Sequence, residues 1–254
     1  MSHRAASRRA ASVPTATHAM AASELRLALR RGETLLATAV LPIVVLVLFS
    51  SVGFLAIPGR AVDFLLPGSI AFAVIATSFV SLGITTGYDR HYGVLKRLGG
   101  SPLSRPELIA AKVAVVLVVE TIQVAGLIAV AALVLGWSAP DGASLSGLVV
   151  AILLATLAFA GLGLLLAGLL RAEAMLAVAN GLFVASLVLG GIIVPVDHLP
   201  APLDALAPFL PPAASSEALR VALGYGGDAG GPLVVLAAWG VGAVALAART
   251  FRWE

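Results

Sequence analysis

Cysteine is absent from all 254 residues, which removes disulfides, thiolate metal sites, iron–sulfur clusters and a cysteine nucleophile from consideration. Charge is scarce, at 11% of residues, against about a quarter in an ordinary soluble domain. Aromatic residues amount to 6%, too few to argue for recognition of a flat apolar ligand. The four histidines, His3, His18, His91 and His198, are scattered, and none falls inside an apolar run. With no cysteine beside them and no GxSxG, neither a metal centre nor an intramembrane hydrolase is expected. Lys96 and Lys112 are the only lysines. Neither follows the glycine-rich pattern whose backbone amides cradle phosphates, so no catalytic residue and no nucleotide site is expected in this chain.

What is abundant is apolar residue, 60% of the total, collected in runs of the length a helix needs to cross a hydrocarbon core of roughly 30 Å. The expected fold class is an all-α membrane protein. Breaks at Pro, Gly or charged residues divide the runs into six expected spans, 35–57, 64–87, 108–136, 145–170, 174–194 and 231–248. Before them, residues 1–22 are rich in Ala, Ser and Arg and lack both acids and an apolar stretch, which predicts a disordered cytoplasmic tail. Residues 23–34 predict a short amphipathic interfacial helix, with Ser23 as its cap, Glu24 at its positive end, and Leu25 and Leu29 on one face. Residues 35–254 then form one membrane domain.

Orientation follows from the cations, because Lys and Arg resist translocation. With a cytoplasmic N-terminus, fourteen of the sixteen Lys and Arg fall inside and only Arg60 and Arg220 outside. Six spans return Arg249 and Arg252 to the cytoplasm; five or seven do not. The positive net charge, +3, thus reflects loop placement rather than a nucleic-acid partner. Between spans five and six, residues 195–230 hold three clusters of Pro and Gly around two short apolar stretches, which predicts two short helices lying at or dipping into the outer interface.

The loop after span two carries the densest signal. Val94, Leu95 and Leu98 recur at helical spacing beside Lys96 and Arg97, predicting a short helix with an apolar stripe that a partner would cover. Within the spans, Glu120 and Gln123 lie three apart on one face of the third, and Asn180 lies in the fifth. A charge at mid-bilayer costs about 2.5–3.5 kcal/mol on insertion scales, so these three are expected to face the interior, either lining a pathway or packing helices. Rows of small residues, Ala177, Gly181 and Ala185, and Gly163 with Ala167, permit close helix approach.

In order, Asp89, Arg90, Gly93, Lys96, Arg97, Leu98, Pro102, Leu103 and Lys112 resemble the signature of ABC-2 type permeases, membrane subunits of drug, lipid and polysaccharide exporters. Asp89 stands where the family usually has Glu. Gly190, Gly191, Pro195, Leu199, Pro200, Leu206, Pro208 and Pro211 resemble the family's pattern before its last span. The resemblance, closest to drug-resistance exporters of the daunorubicin type, implies a multi-pass protein of a bacterial plasma membrane. It would act as a dimer, with a second copy or a paralogue, and pair with a separate ABC ATPase subunit that binds ATP and Mg. The same resemblance assigns Asp89, Arg90, Gly93, Val94, Leu95, Lys96, Arg97, Leu98 and Pro102 to coupling with that ATPase, and implies export of a drug-like, lipid or glycan cargo. Energy for such work has to come from a partner or a gradient. The competing expectation is a proton-coupled secondary transporter with Glu120 as its acid; the two halves of the chain show no matching repeat to support it.

Overall fold

The computed structural model describes residues 32–52, 59–99 and 105–250, and every regular element among them is helical. The expected tail, nearly all of the expected amphipathic helix, and Pro102 lie outside the described residues. Helix α1 is Gly32–Val52 and α2 runs without interruption over Ala61–His91. A short helix α3, Val94–Gly99, precedes α4, Arg105–Val134; α5 is Leu145–Leu169 and α6 Ala172–Leu189. Two further short helices, α7 at Ala201–Leu206 and α8 at Pro211–Ala222, precede α9, Gly230–Thr250.

Among the described residues, five helices are long and apolar enough to cross a membrane: Ala61–His91, Glu107–Val134, Leu145–Leu169, Ala172–Leu189 and Gly230–Arg249. The first expected span corresponds to α1, a helix of 21 residues, Gly32–Val52, that includes the apolar stretch Thr38–Val52. Residues 53–58, the rest of that expected span, lie outside the described residues.

α2 forms the axis of the bundle. It reaches roughly 46 Å at the helical rise, and the most apolar window of its length is 89% buried inside the protein, against 22% for α6 and for α9. Leu65, Leu66, Ile70 and Phe72 of α2 are fully enclosed, and Phe72 stacks on Phe183 of α6 with ring centroids 4.1 Å apart. α1 packs along its first half, α4 and α8 beside it, and α6 against its second half, while α9 lies along α5. The outward faces of α6 and α9 carry Val178, Leu182, Val184, Val188, Val234 and Val241. Apolar side chains facing outward suit lipid as solvent, where a water-soluble bundle would place charge.

Within α2, Ile75–Ser81 winds as a π-helix. The wider turn offsets backbone carbonyls from the α-helical ladder, and α5 approaches closely at this point. A Cβ on Gly163 would sit 2.9 Å from the Phe79 carbonyl oxygen and 3.2 Å from that of Ser78. Glycine is therefore the residue that lets α5 touch the widened turn.

The two short helices between α6 and α9 part company. α7 is exposed at every residue, as an interfacial helix would be. α8 enters the protein, with Ala213, Ala214, Ser215, Ser216, Ala218, Leu219 and Ala222 buried against α2, α5 and α9. Its small side chains let it tuck into the bundle, and Pro211 and Pro212 start it where a missing N–H costs nothing. Composition marks a short helix here; only the packing reveals that it is inserted instead of lying flat.

Candidate functional site

Three groups of polar side chains are built into the bundle. The first surrounds the turn after α2. The Lys112 ammonium donates to Asp89 Oδ2 at 2.8 Å, joining α4 to α2, with Lys112 almost wholly buried. Arg90 spreads its guanidinium over the C-terminal end of α5, donating to the Gly168 and Leu170 carbonyls. The last carbonyls of a helix have no partner within it and carry partial negative charge, so an arginine fork satisfies both at once. Gly93, at φ +69°, turns the chain into α3, a conformation costly for other residues.

Among the described side chains of α3, Leu95 is the buried one. Leu95 is 1% exposed, whereas Val94 is 39% exposed and Lys96 and Arg97 point outward. Of the expected stripe of Val94, Leu95 and Leu98, Leu95 packs inward as an anchor and Val94 does not, while the Leu98 side chain lies outside the described ones. Asp89 and Arg90 also face inward, bracing α2 against α4 and α5. The outward surface of this turn is Tyr92, Val94, Lys96 and Arg97.

The second group crosses the middle of the bundle. Glu120, at the centre of α4, is 1% exposed and accepts from the Thr156 hydroxyl of α5 at 2.5 Å, while its Oε1 has no hydrogen-bond partner among the described residues. Gln123, also buried, accepts from Thr77 at 2.8 Å and donates to Thr38 of α1 at 3.1 Å. Four helices meet through these two residues, and Thr77 belongs to the π-helical turn. Asn180 departs from its expected position: it is exposed on α6 and donates to the Leu176 carbonyl of its own helix at 2.9 Å. A single position along the helix separates the buried face from the exposed one, since neighbouring Ala179 is buried.

The third group lies at the opposite end of α2 and escaped the sequence reading. The Trp137 indole donates to Tyr225 at 2.7 Å, and the Tyr225 hydroxyl donates to Asp63 at 3.0 Å. Burial and the neighbouring Asp63 push the Tyr225 phenol up to about 12, with Trp137 and Arg60 opposing. Arg60 donates to the Leu135 and Gly136 carbonyls at 3.0 and 2.8 Å, closing the end of α4. Beside this cluster, Arg220 of α8 stands 4.3 Å over the Phe64 ring and 3.3 Å from Glu217. Burial pulls its guanidinium below the ordinary value, and Glu217 opposes that pull. Arg220 lines a cavity of about 900 Å³ between the α6–α7 connection, α8 and the start of α9. The sequence signal was present in Arg220, one of the two cations set apart from the other fourteen, but the distance between Arg220 and Phe64 along the chain hid the contact.

Neither the curated proteins nor the solved structures contain a match to this chain. The family model for ABC-2 type transporters matches residues 15–223, a stretch that includes the α2–α3 turn, the buried Glu120 and the inserted helix α8. The chain is a multi-pass membrane protein, and it belongs to the ABC-2 type transporter family.

Proposed function

We propose that this chain is the permease subunit of an ABC exporter of a bacterial plasma membrane, moving a drug-like, lipid or glycan cargo outward as a six-span dimer with both termini cytoplasmic. Its energy comes from a separate ATPase subunit, the kind of partner with which this family normally works. One observation carries the reading: α3 offers Lys96 and Arg97 outward from a turn that is braced on three helices. Force applied to α3 reaches α2 directly, α4 through Asp89 and Lys112, and α5 through Arg90. A loop without a partner has no need of such bracing.

Co-purification with the ATPase in mild detergent, followed by ATP hydrolysis and transport assays, tests it. Lys96→Glu with Arg97→Glu should leave insertion intact and cut transport on the order of tenfold, since like charges placed at a docking surface oppose association. Unchanged transport by that variant would remove α3 from the coupling role. A second reading, a proton-coupled carrier, draws on the unpartnered Oε1 of Glu120. It predicts no ATPase complex and loss of proton-dependent transport in Glu120→Gln.

A further inference from the structure

The outer cavity combines three features that no part of the coupling mechanism uses. Its volume, about 900 Å³, lies within the range that holds a small-molecule ligand. Its wall is mainly aliphatic and prolyl, with Val196, Pro208, Pro232 and Val235 among its residues, and Phe209 at an exposed edge. Its charges are separated by depth, apart from Glu217, which also lines the cavity and stands beside Arg220. Arg220 is largely buried, its side chain 18% exposed, while Asp197 and Asp204 are exposed at the mouth.

The guanidinium is poorly served where it stands. Of its five N–H donors, one reaches Glu217 at 3.3 Å and one the Phe64 carbonyl at 3.5 Å, a marginal distance. The remaining three have no acceptor among the described residues. A desolvated arginine favours a planar or tetrahedral oxyanion that fills several donors together. Asp197 and Asp204 impose the opposite demand at the mouth, where an anion alone is repelled and an ammonium group is attracted. An aliphatic wall adds room for a chain and little for a flat ring.

We propose that this cavity binds a zwitterionic amphiphile, with its phosphate or carboxylate on Arg220, its ammonium group toward Asp197 and Asp204, and its hydrocarbon chain along the aliphatic wall. The site deepens the permease reading by naming a cargo class, and it rests on that reading only for the ligand's meaning as cargo. Binding itself needs no ATPase.

Native mass spectrometry of the purified protein in a neutral maltoside detergent gives apparent affinities for four probes. They are lysophosphatidylethanolamine, lysophosphatidic acid of the same chain, the matching monoacylglycerol, and chain-free glycerophosphoethanolamine. The zwitterionic lipid should bind on the order of tenfold more tightly than each of the others, one close charge contact being worth about that factor at a half-exposed site. Asp197→Asn with Asp204→Asn, both at exposed positions, should erase its advantage over lysophosphatidic acid. Arg220→Gln should weaken both phosphate lipids on the order of tenfold and leave monoacylglycerol unchanged.

Equal binding of monoacylglycerol, or equal binding of the chain-free headgroup, overturns the proposal. An unchanged preference in the double aspartate variant does the same, and it decides the matter alone if Arg220→Gln does not fold. Loss of ATPase coupling in the α3 variant leaves these affinities untouched, so the failure of one proposal is distinguishable from the failure of the other.

Discussion

Individual side chains in this protein mostly serve to join helices. Asp89 illustrates the point: a shorter acid than the family's usual Glu still meets the long Lys112 side chain, at 2.8 Å from its ammonium. Tyr225 does comparable work at the other end, linking Trp137 to Asp63. A phenol whose pKa is raised keeps its proton in the folded protein at pH values where the unfolded chain has lost it. Its stabilising contribution is therefore complete below the ordinary value of 10.0 and disappears as pH climbs toward about 12. The thermal midpoint of the detergent-solubilised protein should fall across that window. Tyr225→Phe, less stable at neutral pH for want of the Asp63 hydrogen bond, should converge on the parent above it; parallel curves for the two would show that the phenol plays no part.

Helices are placed by their smallest residues as much as by their largest. α5 meets the π-helical turn of α2 at Gly163, where even a methyl group would press on the Phe79 carbonyl. Gly163→Leu should cost about 1–3 kcal/mol or more through overpacking, seen as a lower thermal midpoint and weaker folded yield. Gly181 on α6 is the control, with nothing within 4 Å of an added Cβ. Gly181→Leu should be tolerated by the single subunit, and a fall as large as that for Gly163→Leu would contradict the packing account. α8 makes the same point in reverse. Its run of Ala and Ser looks weakly apolar for an inserted element, yet small side chains are what allow it to fit between α2, α5 and α9.

At the scale of the whole chain, topology remains a proposal that the protein makes easy to test, since it has no native cysteine. Tyr92→Cys, beside α3 and highly exposed, should react with a membrane-impermeant maleimide only after cells are opened. Asp141→Cys, in the exposed turn between α4 and α5, should react in intact cells. The reverse pattern would invert the orientation, and labelling of both from outside would break the assignment of α2 and α4 to opposite crossings. Asp141 lies away from the α3 turn, so that variant should retain transport, while Tyr92→Cys is read by its labelling alone.

The order of apolar runs, their Pro and Gly breaks and the bias of Lys and Arg were enough to reveal an all-helical membrane protein, because a bilayer leaves its mark on every twenty residues of a chain. Local spacing also located α3 and singled out Glu120 and Gln123, whose separation of three residues puts them on one buried face. Contacts between residues far apart in sequence could not be read this way. The inward turn of Leu95, the exposed position of Asn180, the insertion of α8, and the meeting of Arg220 with Phe64 each depend on how one helix is rotated against another. That rotation is set by interhelical packing at points such as Gly163 and the π-helical turn, and no periodicity along a single segment records it.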